Sequence, residues 1–340
     1  MSDEKKQKSA SSSSAPSRNL IVTTGEGQTG HLIAELLLTD DQFSSKLAKL
    51  QVATCNPEHQ HIKDLEEKGA TIIPCTPGDL EGTTEAFEGA GADTILVIPP
   101  SVDNKLEASK EMLQATKDAG IPNVVLISSA GCDMAERDAQ PRLREFIDIE
   151  TELMAAKGDT STEAGHSPCI IRAGFYAENL LLYNKQAKDK GKLPLPIGPT
   201  HKFAPVSLGD IALLAAHVVT ESGPHGLGDK VRGQLITITG PMMVAGKELA
   251  EAASQGLGAK MEFEEISEED AQSLLDDQAE ISDAEKEYLL EYYALVRAGK
   301  TNYISTHAFH DITGTHPTEM TDFFKTYSDE FKPKKRKTKK

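Results

Sequence analysis

The chain has 340 residues, 38% of them hydrophobic, enough for one large α/β domain with an appended lobe or for two domains. Its formal net charge of −17 argues against general binding of nucleic acids or anionic membranes by the folded body, and no apolar run is long enough to span a bilayer. The four cysteines are scattered without a C-x-x-C motif, which predicts reduced thiols of an intracellular protein and neither a disulfide frame nor a zinc site.

The first structured segment is predicted to follow a polar tail. Residues 1–18 are rich in serine and lysine and lack the apolar region of a secretory signal, so we expect them to be disordered. A short buried strand is predicted at 20–22, and Gly25, Gly27 and Gly30 then show the spacing G-x-G-x-x-G before an amphipathic helix. This arrangement predicts dinucleotide binding: the first glycine permits a tight turn, the second lets the backbone approach a pyrophosphate, and the third lets the helix pack against the strand.

Apolar runs and helical patterns alternate along the rest of the chain. Strands are predicted at 50–55, 70–74, 94–98, 124–127, 169–171 and 235–238, and helices at 64–68, 83–88, 104–119, 142–157, 210–219, 247–253 and 283–298. Ser282 and Glu285 form a predicted capping box at the start of the last helix. The alternation implies an α/β fold, a Rossmann-type doubly wound parallel sheet. We expect a Rossmann core over about 19–170 and a smaller C-terminal α/β lobe from about 171.

In such a sheet, ligands lie at the carboxyl ends of the strands, so the loops that follow the strands share one rim. The N-terminus of the helix after the glycine loop offers free N–H groups and partial positive charge to phosphates. The candidate cofactor-binding residues are Gly25, Gly27, Gln28, Thr29, Gly30, Thr54, Cys55, Asn56, Asp79, Pro99 and Ser128. For Asp79, a helix cap is an equally good interpretation.

The end of the second strand distinguishes the two nicotinamide cofactors. An acid there would hold the 2′-hydroxyl of NAD, whereas an arginine would pair with the 2′-phosphate of NADP. This chain has Cys55 at that point, and no acid follows until Glu58. Thr54, Asn56 and His59 can donate hydrogen bonds to a phosphate. The residues therefore leave the choice between NADP and NAD open.

Several segments of the sequence, taken in chain order, together form a recognisable set of motifs. They are Gly-Glu-Gly-Gln-Thr-Gly at 25–30, Ala-Thr-Cys-Asn-Pro at 53–57, Gly-Asp-Leu at 78–80, Ala-Gly-Ile-Pro-Asn-Val-Val-Leu-Ile-Ser-Ser at 119–129, Ile-Arg-Ala-Gly-Phe-Tyr-Ala-Glu-Asn-Leu at 171–180 and Val206 to Ile211. Over about 19–336 the chain resembles the NmrA-like family, an atypical branch of the short-chain dehydrogenases. Residues 298–302 and 311–314 look like the C-terminal lobe of fungal members. The resemblance implies an NAD(P)-binding Rossmann fold, with NADP slightly favoured by family habit.

The resemblance leaves two classes of function. Some relatives reduce small molecules with NADPH, whereas others lack turnover and act as redox sensors that bind a dinucleotide and a partner protein, including transcription factors. Short-chain dehydrogenases use a Tyr-x-x-x-Lys pair, which this chain lacks. Many relatives also hold a lysine two residues before the family's glutamate. Here Glu150 is present but that position is Asp148, and an anion beside a developing alkoxide would oppose reduction.

The catalytic residue is unknown from the sequence, and the candidates are Ser129 and Tyr176. Strand-end packing is the alternative for the serine, and an aromatic wall for the tyrosine. We expect an NAD(P)-binding redox sensor or regulatory protein with little turnover. The alternative is an NAD(P)H-dependent oxidoreductase that acts on a small carbonyl or enone.

The remaining features of the sequence bear on metals and location. The histidines at 59, 61, 307, 310 and 316 lack carboxylate partners at helical spacing, so we expect no metal site. We expect one dinucleotide-binding domain over 19–331, followed by a tail at 332–340 that contains seven basic residues. That tail is either a solubilising terminus or a nuclear import signal. The expected location is the cytoplasm, with entry into the nucleus in the second case.

Overall fold

The structure is a computed structural model that describes residues 17–155, 167–278 and 281–333. Its strands are β1 (Arg18–Thr23), β2 (Leu47–Thr54), β3 (Thr71–Pro74), β4 (Thr94–Val97), β5 (Asn123–Ser129), β6 (Cys169–Ala173), β7 (Lys192–Leu195), β8 (Ser222–Gly223), β9 (Gly226–Leu227), β10 (Leu235–Ile238) and β11 (Glu262–Glu265). Its helices are α1 (Gln28–Thr39), α2 (Asp41–Ser44), α3 (Gln60–Glu67), α4 (Leu80–Ala90), α5 (Lys105–Asp118), α6 (Pro141–Ala155), α7 (Asn184–Lys190), α8 (Leu208–Thr220), α9 (Gly246–Leu257), α10 (Glu268–Asp276), α11 (Asp283–Arg297), α12 (His307–Thr313), α13 (Met320–Thr326) and α14 (Ser328–Phe331). A 3-10 helix spans Ala177–Tyr183.

Seven parallel strands form the central sheet, in the order β10-β6-β5-β4-β1-β2-β3. Two small sheets pair β7 with β11 and β8 with β9. The central sheet and the helices on both of its faces confirm the predicted α/β class and its Rossmann-type doubly wound arrangement. The strand order reverses between β1 and β4, and a ligand crevice is expected outside the carboxyl ends of the strands at that point.

Apolar side chains cover both faces of this sheet, as expected for parallel strands buried between helices. Val22 and Val52 face the layer that contains α1 and α8. Their neighbours Ile21 and Ala53 face the opposite layer, which contains α4, α5 and α6. A separate buried cluster forms the interior of the smaller lobe, with side chains from α9, α11 and α13. The lobe therefore has a core of its own beside the carboxyl ends of the strands.

The second half of the chain contributes more to the central sheet than expected. β10 lies beside β6 at the edge of the sheet, where Ile236 is in register with Ile171. α8 packs against α1 on one face. The sheet therefore continues beyond the boundary expected near residue 170, because its last strand comes from 235–238.

The ends of several elements differ from the predicted ones. β1 begins at Arg18, which is 5% exposed and forms an ion pair with Asp93, so the tail expected over 1–18 ends earlier. Residues 1–16 and 334–340 of the two expected tails lie outside the described residues. β5 runs from Asn123 to Ser129, and the two serines expected after 124–127 form its end. Within the described ranges no helix combines the length and apolar character needed to cross a membrane.

Candidate functional site

A cavity of about 540 Å³ opens at the carboxyl ends of β1, β4 and β5, where the strand order reverses. The glycine loop and the start of α1 contribute to its lining, and α11 of the smaller lobe lines it as well. The predicted residues that line it are Gly27, Gln28, Thr29, Gly30, Pro99, Ser128, Ser129 and Tyr176. The other predicted cofactor residues, Gly25, Thr54, Cys55, Asn56 and Asp79, are not part of this lining.

The glycines of the loop meet different constraints. A Cβ at Gly30 would lie 2.3 Å from the carbonyl oxygen of Thr24, so Gly30 allows the close packing of helix and strand that was predicted. A Cβ at Gly25 would lie 2.1 Å from Cγ1 of Val52. Gly25 is therefore required by the approach of β2 and not, as expected, by the turn.

The turn residue is instead Thr24, whose φ is +55°. It is the only non-glycine residue with positive φ in the described part of the chain. Its Oγ1 donates a hydrogen bond to the carbonyl oxygen of Ile98 at 2.6 Å, which holds the loop against the end of β4. Backbone strain of this kind is concentrated at ligand clamps and active sites, and the sequence did not single out this residue.

The N-terminus of α1 has the features of a phosphate site. Gly27 is the N-cap residue, and no side chain caps the first turn. The first N–H groups of a helix lack intrahelical acceptors, and the helix dipole adds partial positive charge there. Because Gln28 and Thr29 of this turn line the cavity, the arrangement fits the pyrophosphate of a dinucleotide.

The end of β2 is occupied by an acid that the sequence analysis overlooked. Thr54 Oγ1 donates to Oε2 of Glu26 at 2.8 Å and accepts from the N–H of Asn56 at 3.0 Å. The single hydroxyl proton of Thr54 is therefore used within the protein, and the role of Thr54 as a phosphate donor stays a prediction. Cys55 and Asn56 are exposed beside it.

Asp79 has the structural role that was offered as its alternative. It is the N-cap residue of α4, and its Oδ1 accepts from the N–H of Gly82 at 3.0 Å. The side chain is exposed. Helix capping therefore accounts for this residue without a cofactor contact.

Three histidines form a cluster beside the glycine loop, and two of them, His59 and His61, line the cavity. His61 Nδ1 lies 2.9 Å from the carbonyl oxygen of Glu26, and His59 Nδ1 accepts from the N–H of His61 at 3.2 Å. The His31 ring stacks on that of His61 at a centroid distance of 4.3 Å, and its Nε2 lies 2.8 Å from Oδ2 of Asp64. Across the described ranges, no group of three or more histidine, cysteine and acidic side chains is placed to hold a metal ion.

A pair of hydroxyls lies at the other end of the cavity. Ser129 Oγ, at the end of β5, is 2.8 Å from Oη of Tyr288 on α11, and both residues line the cavity. The two residues are 159 positions apart in the chain. No local motif marks Tyr288, which the sequence analysis therefore missed.

The neighbouring Ser128 belongs to a buried polar network. Its Oγ donates to Oε1 of Glu150 at 2.6 Å. Arg172 holds the same carboxylate with two hydrogen bonds of 2.8 and 2.7 Å. Because Glu150 is paired in this way, it fixes the end of β5 and is not available to a ligand.

Asp148 does not take the position that the sequence comparison assigned to it. It is not part of the cavity lining, and Arg137 binds it through two hydrogen bonds of 2.9 Å. These bonds hold the pKa of the Asp148 carboxyl below its usual range. The expected repulsion between Asp148 and a developing alkoxide is therefore wrong, because the carboxylate is neutralised outside the cavity.

Burial keeps the two tyrosines of the cavity protonated. It raises the pKa of Tyr176 to about 12, although a hydrogen bond with Thr29 acts in the opposite direction. It raises the pKa of Tyr288 further still, against a similar effect of the Ser129 hydrogen bond. Both phenols are therefore hydrogen-bond donors at neutral pH.

Glu285 forms only half of the predicted capping box. Ser282 Oγ accepts from the N–H of Glu285 at 3.2 Å, but the Glu285 carboxyl does not return to the backbone of Ser282. The side chain instead lines the cavity one helical turn before Tyr288. No described residue gives the carboxyl a hydrogen bond or ion pair, and burial raises its pKa.

The two cations of the cavity lining are already paired. Lys105 Nζ lies 3.1 Å from Oε2 of Glu145, and Arg142 Nε donates to Oε2 of Glu287 at 2.8 Å. Burial lowers the pKa of the Lys105 ammonium. Lys105 and Arg142 form one wall of the cavity. Because carboxylates neutralise their charges, they attract an anionic ligand only weakly.

Known proteins match both the sequence and the structure. The sequence model of the NmrA-like family matches residues 16–330. An NAD(P)H azoreductase of Xenophilus azovorans is 24% identical over 257 residues, which are 75% of this chain and 80% of that protein. The NADPH-dependent quinone oxidoreductase of Escherichia coli, solved with NADPH, superposes with a TM-score of 0.73 at 21% identity, covering 91% of this chain and 99% of that one. The negative transcriptional regulator NmrA, solved with NADP, gives a TM-score of 0.66 at 12% identity, with coverages of 92% and 95%.

Proposed function

Because the chain belongs to the NmrA-like family, we propose that its cavity binds a nicotinamide dinucleotide and that the protein reduces a small carbonyl or enone with NAD(P)H. The observation that carries the proposal is the hydroxyl pair of Ser129 and Tyr288 in the same cavity as the glycine loop. The matches to a protein named NAD(P)H azoreductase and to a quinone oxidoreductase solved with NADPH support it.

The residues of the loop fit the cofactor. The uncapped first turn of α1 offers N–H groups to the pyrophosphate, and Gly27 leaves room for its approach. Pro99 and Ser101 line the cavity after β4, beside the loop. When bound, the nicotinamide supplies a hydride.

The hydroxyl pair supplies what hydride transfer to a carbonyl needs from the protein. When Ser129 donates to the Tyr288 oxygen, the phenolic proton of Tyr288 is left to point at a substrate oxygen. The raised pKa keeps that proton in place at neutral pH, so Tyr288 stabilises the negative charge that develops on the oxygen, and solvent water then supplies the proton that completes the alcohol. Tyr176, which lines the same cavity, is the second donor available to the substrate.

A second candidate function is a redox sensor or regulatory protein with little turnover. It is favoured by the lack of a free cation among the described residues that line the cavity, since Lys105 pairs with Glu145 and Arg142 with Glu287. Without one, proton transfer from the phenol is slow. The likeness to a negative transcriptional regulator solved with NADP supports this candidate.

We propose the cytoplasm as the location of the protein, with the basic tail at 332–340 as an import signal for a nuclear role.

The test measures binding and turnover separately. Calorimetry with NAD, NADH, NADP and NADPH establishes binding, and the oxidation of NADH and NADPH with a panel of soluble quinones, enones and aldehydes establishes reduction. We expect Tyr288→Phe and Ser129→Ala to reduce turnover while they leave dinucleotide affinity within about twofold, because neither residue belongs to the glycine loop. Tyr327→Phe is the matched control, since the Tyr327 hydroxyl donates to Glu178 outside the cavity.

The outcomes separate the two candidates. Turnover that falls in the two cavity variants and not in the control supports the oxidoreductase. Tight binding without turnover on the whole panel, with clearly different affinities for the oxidised and reduced forms, supports the sensor. Failure to bind any of the four dinucleotides contradicts both.

A further inference from the structure

We propose that Glu26 binds the 2′-hydroxyl of the adenosine ribose and makes this protein selective for NAD(H) over NADP(H). The proposal rests on the dinucleotide binding proposed above and names the residue that chooses between the cofactors. In Rossmann folds that choice is made at the end of the second strand, by an acid for NAD or an arginine for NADP. Here the acid reaches that place from the glycine loop.

The position of the carboxylate is set by two hydrogen bonds. Thr54, the last residue of β2, donates from Oγ1 to Oε2 of Glu26 at 2.8 Å. His61 Nδ1 holds the backbone of the same residue, since its N–H donates to the carbonyl oxygen of Glu26 at 2.9 Å. Glu26 also lines the cavity together with Gly27 and Gln28. One carboxylate oxygen is therefore anchored at the strand end, and the other is available to a ligand.

The charge around this strand end is negative. Cys55 stands where an arginine would pair with a 2′-phosphate. Although Cys55 is exposed, partial desolvation, followed by the carboxylates of Glu26 and Glu111, raises the pKa of its thiol. Glu111 is held nearby, since its Oε2 accepts from the N–H of Gly78 at 2.9 Å. A 2′-phosphate placed here would meet two carboxylates and no arginine.

The nearby histidines do not reverse this balance. The Nδ1 of His59 accepts a backbone hydrogen bond and the Nδ1 of His61 donates one, so both nitrogens are already used within the protein. The Nε2 of His31 pairs with Oδ2 of Asp64 at 2.8 Å. The lysines of the same segment are paired as well, Lys63 with Glu58 and Lys68 with Asp64.

The ligand atoms expected at Glu26 follow from this geometry. A ribose hydroxyl donates to a carboxylate, and a hydrogen bond to a charged acceptor is about twice as strong as one between neutral groups. A phosphate at the same point is mostly dianionic at neutral pH and is repelled. The preference therefore combines a favourable contact with NAD and an unfavourable one with NADP.

The experiment is a calorimetric titration of the full-length protein with NAD and NADP, repeated with NADH and NADPH. We expect the wild-type protein to bind NAD at least about tenfold more tightly than NADP. Glu26→Gln keeps the length of the side chain and removes its charge, and we expect it to shift the ratio toward NADP by about tenfold or more. Glu35→Gln, on the outer side of α1 beside Lys68, is the matched control and should leave the ratio unchanged.

Each outcome bears on the proposal. A wild-type protein that binds NADP as tightly as NAD, or more tightly, overturns it, and this measurement does not depend on the folding of any variant. An NAD/NADP ratio that Glu26→Gln leaves unchanged overturns it as well, while dinucleotide binding itself stands. If no dinucleotide binds to the wild-type protein, the proposed function fails and this inference fails with it.

Discussion

The two ends of the cavity are assembled in different ways. The cofactor end is nearly contiguous in sequence: the loop and first turn from Thr24 to Gly30 supply most of its lining. The hydroxyl end joins Ser129 on β5 to Tyr288 on α11, across 159 positions. The first end is held by backbone contacts that a side chain would break, whereas the second depends on where the smaller lobe docks. Members of one family can therefore share the cofactor end and differ in what the other end does.

The largest effect is expected at the cofactor end. Gly27→Glu should weaken dinucleotide binding by more than about 100-fold, because it places a carboxylate where the pyrophosphate approaches. The fold should survive, since a Cβ at Gly27 would lie 3.5 Å from the carbonyl oxygen of Thr24, an ordinary contact. Calorimetry measures the binding, and circular dichroism with thermal unfolding checks the fold.

Gly27→Ala is the control for this substitution, because it adds the Cβ without the charge. We expect it to keep the fold and to bind dinucleotide more tightly than the glutamate variant. Undiminished binding by Gly27→Glu would show that the pyrophosphate does not lie at α1.

A smaller effect is expected at the hydroxyl end, and only on turnover. Tyr288→Phe removes the proposed hydrogen-bond donor to the substrate oxygen, and a donor to a developing oxyanion contributes typically about 10²–10³-fold to kcat. We expect kcat to fall by about 100-fold and dinucleotide affinity to stay the same. Steady-state kinetics with the best substrate of the panel measures the fall.

The control at this end is Tyr327→Phe, which should keep full turnover. Equal kcat values in Tyr288→Phe and wild type would remove Tyr288 from the reaction and leave Tyr176 as the donor to test. A loss of cofactor affinity in Tyr288→Phe would mean that a substitution at the hydroxyl end of the cavity also changes the cofactor end.

The next effect tests whether Cys55 or Glu26 governs cofactor choice. Cys55→Arg should favour NADP by about tenfold or more, since a charge-assisted hydrogen bond is worth about 1.5–3 kcal/mol. Because Glu26 lies at the same strand end, the new arginine would pair with it first. We therefore expect a weaker shift in Cys55→Arg alone than in the same substitution on a Glu26→Gln background. A double-mutant cycle of NAD and NADP affinities measures the coupling. Equal shifts in both backgrounds would mean that the two side chains do not meet.

The two ends of the cavity also differ in how much of them the sequence predicts. The parallel sheet, its helices and the glycine loop were predicted because strand runs, helical spacing and glycines are local signals. Glu26 was missed although it lies inside the motif, because its role depends on a hydrogen bond to Thr54 on another strand. Tyr288 was missed because only the docking of α11 brings it to Ser129. Glu285 was interpreted as a capping residue, but its carboxyl, which has no partner among the described residues, lines the cavity, so the same local pattern fits a cavity wall.

Asp148 is the opposite case, in which a family position suggested a role that the fold removes, and its substitution should have the smallest effect. Asp148→Lys breaks the two hydrogen bonds to Arg137 and brings the new charge toward it. Arg137 is 66% exposed, and such surface pairs are screened by solvent and contribute little, so the variant should be slightly less stable. Turnover and dinucleotide affinity should stay within about twofold of wild type, because neither partner lines the cavity.

Arg137→Ala is the matched control for Asp148→Lys, since it breaks the same ion pair without adding a positive charge at position 148. Chemical denaturation of both variants should give similar small losses in the free energy of unfolding, with a slightly larger loss for the lysine variant because of repulsion from Arg137. A clear gain in turnover for Asp148→Lys alone would place residue 148 at the reacting end of the cavity after all. In that case α6 lies differently in the working protein, and the assignment of Tyr288 would have to be tested again.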